Sequence, residues 1–143
     1  MRARNLLLIL ILVLTAHSQP QQEQRYVLLP PSAARMIANQ GTWKPTQADI
    51  DGAEASIAQI ASLKAQGWSA AIRIDHPEKY FRQYVPIIRA GKKSIYVNAF
   101  CDEPPTDWRS QLVIVADGAT CFWQALYDPA TKTYSTLTIN ARA

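Results

Sequence analysis

The sequence predicts an α+β protein, with one main helix packed on an antiparallel β-meander of four to five strands. Three observations carry this. Between residues 80 and 140, five short runs rich in β-branched and aromatic residues are bounded by turn residues. Just upstream, residues 46–66 repeat Ile50, Ala53, Ile57, Ile60 and Ala61 at helical spacing. A sheet with one apolar face also needs a cover, and this segment is the nearest candidate.

The chain opens with a targeting pattern. Arg2 and Arg4 precede an apolar run at 6–14, and Ala16-His17-Ser18 fits a small-x-small cleavage site. Residues 1–18 are therefore expected to be a signal peptide. The run is too short to span a bilayer, so no stable membrane insertion is expected after cleavage. The formal charge of +4 includes Arg2 and Arg4 and no acid from this segment, so the mature chain carries +2. That balance demands no nucleic-acid partner. Residues 19–25 are polar and expected to be disordered, and 26–143 fit a single α+β domain.

Tyr26-Val27-Leu28-Leu29, ended by Pro30-Pro31, reads as a strand or an extended arm. Residues 32–40 suggest a short helix, with Ser32 as cap and Gly41 as stop. In the main helix, Thr46 with Asp49 forms a capping signal, Lys64 suits the last turn, and Gly67 is a terminator. Ala70–Ile74 offers a possible further strand, broken by Asp75-His76-Pro77.

The strand runs are 80–89, 94–100, 111–116, 120–127 and 133–140. Gly91 and Gly118 suit tight turns, and Asp128-Pro129 suits a type I turn. Pro86 cannot donate to a ladder, so its run should be an edge or carry a bulge. Leu112-Val113-Ile114-Val115 is apolar on both faces and suggests a central strand. In the last run, Leu137 and Ile139 alternate with Tyr134, Thr136 and Thr138, as on an edge strand with one wet face.

Cys101 and Cys121 make an even pair in a chain expected to reach an oxidising compartment, which favours a disulfide. Closing a loop of about 20 residues would stabilise by roughly 3 kcal/mol. A strict meander opposes it, because an intervening strand at 111–116 would hold the two residues about 15–20 Å apart. A bridge needs Cα atoms within about 7 Å. Compartment and parity take precedence, since strand order is the more indirect inference.

Catalytic signals are sparse. His76 is the only histidine after position 18, and no nucleophile–base pair accompanies it. There is no G-x-S-x-G elbow and no His/Cys cluster with zinc spacing, so no metal and no cofactor are expected. Asp102 and Glu103 are adjacent carboxylates of the kind surfaces carry, although a glycosidase would use two. Arg89, Lys92 and Lys93 cluster at one hairpin, where charge keeps an edge soluble. The aromatics are more suggestive. Neighbours such as Phe122 and Trp123 must point to opposite faces, so one face of an aromatic-rich sheet can remain open for binding. Trp108, Trp123, Tyr84 and Tyr96 are the binding candidates.

WKPT before the helix, then YFRQY, IYVNAF, ADG, FW and YDPATKTYSTLTIN, together resemble an uncharacterised family of small secreted bacterial proteins, over residues 43–143. The resemblance implies export and supplies no activity or catalytic residue. Helix followed by meander is also similar to a cystatin-like arrangement, an analogy of fold that carries no function. The expectation is a non-catalytic binding protein, periplasmic or secreted, acting on another protein or an envelope component. The alternatives are a small secreted hydrolase and a structural envelope accessory. If residues 1–18 are a signal peptide, the exported protein should begin at Gln19. Intact-mass measurement checks this, and a mature form that retains residues 6–14 would refute it.

Overall fold

The computed structural model describes residues 24–37, 41–67 and 70–141. The expected signal peptide, most of the polar segment and residues 38–40 lie outside them. No described helix is long and apolar enough to cross a membrane.

Five strands form one sheet in sequence order: β1 (Tyr26–Leu28), β2 (Phe81–Arg89), β3 (Lys92–Phe100), β4 (Phe122–Asp128) and β5 (Thr133–Ile139). β2 to β5 form the antiparallel meander, and β1 adds to β2 in parallel. The fold is thus α+β, as the sequence predicts. Ala90 and Gly91, both at positive φ, turn β2 into β3. Asp128 turns β4 into β5, its Oδ1 accepting from the Ala130 and Thr131 amides.

The main helix is shorter than its apolar spacing suggests. The α-helical part, α1, spans Gln47–Ala55, and Ile57–Ser62 continues as a 3-10 turn. The start is as expected: Thr46 and Asp49 form a reciprocal capping box. Ile50, Ala53, Ile57 and Ile60 still share one buried stripe. They pack on Tyr84, Val97, Trp123, Tyr127 and Leu137, which define the first face of the sheet. Of the helix expected at 32–40, the described part is likewise a 3-10 turn, Pro31–Met36, with Pro30 at its start and no side-chain cap.

Three strand expectations are corrected. Residues 111–116 form no strand, and their apolar side chains cross over the second face of the sheet instead. Residues 70–74 are irregular, with Ile74 buried in the main core. Tyr134 joins Leu137 and Ile139 on the first face rather than opposing them. The cause is a bulge: the β4–β5 register slips between Gln124 and Leu126, and Thr136 takes φ 59°. One inserted residue re-phases the alternation.

Pro86 lies in the second strand, but the edge reading holds locally. β1 gives its last bond to β2 from the Leu29 amide to the Tyr84 carbonyl (2.9 Å), and the next bond on that side runs from the Ile88 amide to the Gly41 carbonyl (2.8 Å). Pro86, between them, has no N–H to leave orphaned. Its carbonyl accepts from Thr42 Oγ1 at 2.8 Å.

The disulfide follows from the loss of the central strand. With 111–116 outside the sheet, β3 pairs directly with β4, and Phe100 lies opposite Phe122. Cys101 and Cys121 extend that ladder by one pair, the Cys101 amide donating to the Cys121 carbonyl at 2.9 Å. Their Cα atoms are 4.8 Å apart and the bridge is formed.

α1 lies close to the sheet because position 52 is glycine. A Cβ there would sit 2.7 Å from the Tyr127 hydroxyl. Gly52→Ala should therefore destabilise the protein by about 1–3 kcal/mol, despite gaining about 1 kcal/mol of helix propensity. Thermal melts check this: adding Tyr127→Phe should recover much of the loss, and a stabilised single variant would refute the close approach.

Candidate functional site

The second face is organised by a row of amides. Gln83, Asn98 and Gln124 occupy adjacent registers of β2, β3 and β4, and Asn140 follows β5. Asn98 Nδ2 donates to Gln83 Oε1 at 3.0 Å, and Gln124 Nε2 donates to Asn98 Oδ1 at 3.3 Å and Asn140 Oδ1 at 3.1 Å. The row also holds the crossing segment. Gln83 Oε1 accepts from the Val113 amide (2.9 Å), and Asn98 Nδ2 donates to the Val113 carbonyl (2.8 Å). Gln83 Nε2 reaches the Trp108 and Gln111 carbonyls, and Asn140 Nδ2 the Val115 carbonyl. Side-chain amides thus take the place of a neighbouring strand.

Trp108 anchors the same loop, packing edge-on against Phe81 and Phe100. Its indole N–H donates to Glu103 Oε1 at 2.8 Å, and the Arg109 guanidinium donates to the same oxygen. These two bonds hold the Glu103 carboxyl below the usual carboxylate range.

The loop covers one end of the second face, and Leu29, Ala33 and Ala34 cover Val85 and Ile87. A groove remains between the two covers. Two cavities of about 340 and 250 Å³ share Ile37, Tyr96 and Gln124. Leu126, Thr136 and Thr138 extend the floor. Met36 (58 % exposed) and Ile114 (70 %) stand on opposite rims. Among the described residues, Arg89 is the one charged residue lining it. Among the described residues, the Tyr96 hydroxyl and Gln124 Oε1 have no hydrogen-bond partner. Burial pushes the Tyr96 phenol up to about 12.

Of the four binding candidates from the sequence, only Tyr96 reaches this groove. Trp108, Trp123 and Tyr84 are buried, so they cannot present a surface to a partner. Trp108 fills the loop core, while Trp123 and Tyr84 lie under α1. The indole nitrogen of Trp123 is buried with no partner among the described residues. The sequence could show that the aromatics divide between faces; it could not show that the loop folds back over one of them.

The catalytic candidates are dispersed. His76 is exposed and meets Glu78 at 3.3 Å. Glu103 is committed to Trp108 and Arg109. Cys101, Asp102 and Cys121 lie close enough for metal ligation, but the bridge leaves no thiolate. Across the hairpin Arg89 pairs with Lys92, and Lys93 lies over the Trp43 ring at 5.2 Å.

Sequence reasoning missed one buried ionic group. Arg82 is 4 % exposed and binds Glu54 of α1 through both carboxylate oxygens, at 2.9 and 2.8 Å. The Tyr84 hydroxyl donates to the same carboxylate. Arg82 also donates to the Pro77 and Glu78 carbonyls. Burial opposes its charge, but the Glu54 hydrogen bond and the charges around it outweigh that and raise its pKa. Arginine at an alternating strand position facing a helix that carries one glutamate was the available signal.

No family model, no curated protein and no solved structure matches the chain.

The raised Tyr96 pKa sets an alkaline dependence. The folded state favours the neutral phenol, so the stabilisation is full below about pH 10 and is lost as pH rises towards 12. Tyr96→Phe should remove about 2 kcal/mol of that loss. Melts at pH 8 and 11.5 check it, and an unchanged alkaline loss would refute the assignment.

Proposed function

We propose that this is a non-catalytic exported binding protein, engaging another protein or an envelope component through the second-face groove. The observation that carries the reading is the groove itself: a channel of mixed polar and apolar lining beside exposed Met36 and Ile114, with the Tyr96 hydroxyl, Gln124 Oε1 and the Thr138 hydroxyl unpartnered among the described residues. Ligand sites commonly combine apolar walls with a few convergent polar groups. With Arg89 as the one charge among the described lining residues, the groove suits a ligand portion that is polar in part and carries few charges. Such a portion would offer an acceptor to Tyr96 and a donor to Gln124.

The dispersed acids and bases support binding over hydrolysis. Glu54 and Glu103 are held by cations, and His76 has no nucleophile beside it. The disulfide is compatible with an oxidising compartment.

Immobilised mature protein should retain a specific component of an envelope extract. Ile114→Asp should weaken retention tenfold or more without lowering Tm, because Ile114 is exposed. His76→Ala should change nothing. Reproducible turnover of an ester, peptide or glycan substrate, abolished by His76→Ala or Asp102→Ala, would replace this reading with the hydrolase.

A further inference from the structure

The two edges of the sheet are treated differently. The outer edge of β5 is closed from within. The Gln59 side chain mimics a peptide group there, Nε2 donating to the Lys132 carbonyl (3.1 Å) and Oε1 accepting from the Tyr134 amide (3.0 Å). The Gln66 amide donates to the Leu137 carbonyl at 2.8 Å. The bulge at Thr136 breaks the edge further.

Among the described residues, the outer edge of β1 has no such closure. The bonds from Arg82 to the Arg25 carbonyl and from Leu29 to the Tyr84 carbonyl fix the phase of the parallel ladder. Arg25, Val27 and Leu29 face β2, so the backbone groups of Tyr26 and Leu28 face outward. No described residue partners them. Leu28 is 42 % exposed, one of three large apolar side chains left so among the described residues. A cavity of about 790 Å³ opens beside this edge on the first face, lined by Tyr26, Glu54, Glu78, Lys79 and Arg82 among others.

We infer that the outer edge of β1 receives an extended segment of a partner protein as a sixth strand. Outward amides and carbonyls in strand phase are matched by another backbone, and an adjoining cavity selects among its side chains. The residue opposite Tyr26 projects towards the charged cavity and is polar. The one opposite Leu28 meets an exposed leucine and is apolar. This surface is separate from the groove, so either can fail without the other.

The test is selection of displayed random peptides on the full chain, followed by affinity measurement. Leu28→Pro removes an outward N–H together with the leucine side chain, at a place where proline is tolerated on an edge, and should weaken the selected peptides tenfold or more. Leu28→Ala keeps the N–H and should weaken them less, and Ile114→Asp should leave them unchanged. If Leu28→Pro lowers Tm, N-methylation along the peptide gives the same information on the parent protein, and losses at alternate positions are expected. The inference is overturned if no peptide is enriched or if Leu28→Pro binds normally. It is equally overturned by uniform tolerance of N-methylation, or by an edge occupied only in concentration-dependent dimers of the chain itself.

Discussion

The second face depends on four side-chain amides. An extended segment lying across a sheet face cannot join the ladder, and its peptide groups would be costly to bury without partners. Gln83, Asn98 and Asn140 meet that demand from below, while Gln124 ties Asn98 to Asn140. Each amide offers both donor and acceptor, so the row is held together and still has capacity for the loop. Trp108 and the Cys101–Cys121 bridge fix the ends of the same loop. The position of Ile114 on the groove rim follows from this arrangement.

The first face rests on different physics. Its apolar packing is ordinary, but Arg82 leaves water to join a half-buried Glu54, and a buried charge is favourable only with its remaining hydrogen bonds made. Here the guanidinium also reaches the backbone of the 3-10 turn Pro77–Lys79, and Tyr84 completes the carboxylate. The network ties helix, turn and strand to one point. Glu54 thereby anchors the helix to the strand.

Much of the fold was legible because it is local. The capping box at Thr46, the turn at Ala90-Gly91 and the Asp128 turn need only neighbouring residues to form. What stayed hidden depended on distant partners. Leu112-Val113-Ile114-Val115 has the composition of a buried strand, and its backbone is indeed paired, but with side chains of Gln83 and Asn98. Tyr134 lies on the face opposite to the one its alternation predicts, because a bulge at Thr136 shifts the phase without marking the sequence. Cys101 and Cys121 seemed too far apart only while the intervening segment was counted as a strand. The site was less legible still: Tyr96 was among the candidates, but the groove is defined by which aromatics the loop conceals.

Pro86 has a consequence beyond its own missing hydrogen. Strands usually select their alignment through side-chain pattern, and β1, with three residues, carries little pattern to select with. A shift of β1 by two residues towards the end of β2 would ask residue 86 for an amide bond it cannot give. Gly41 occupies the next available position at Ile88. The arm is therefore indexed against that shift by a backbone vacancy, a stop built from one absent donor instead of many matched contacts.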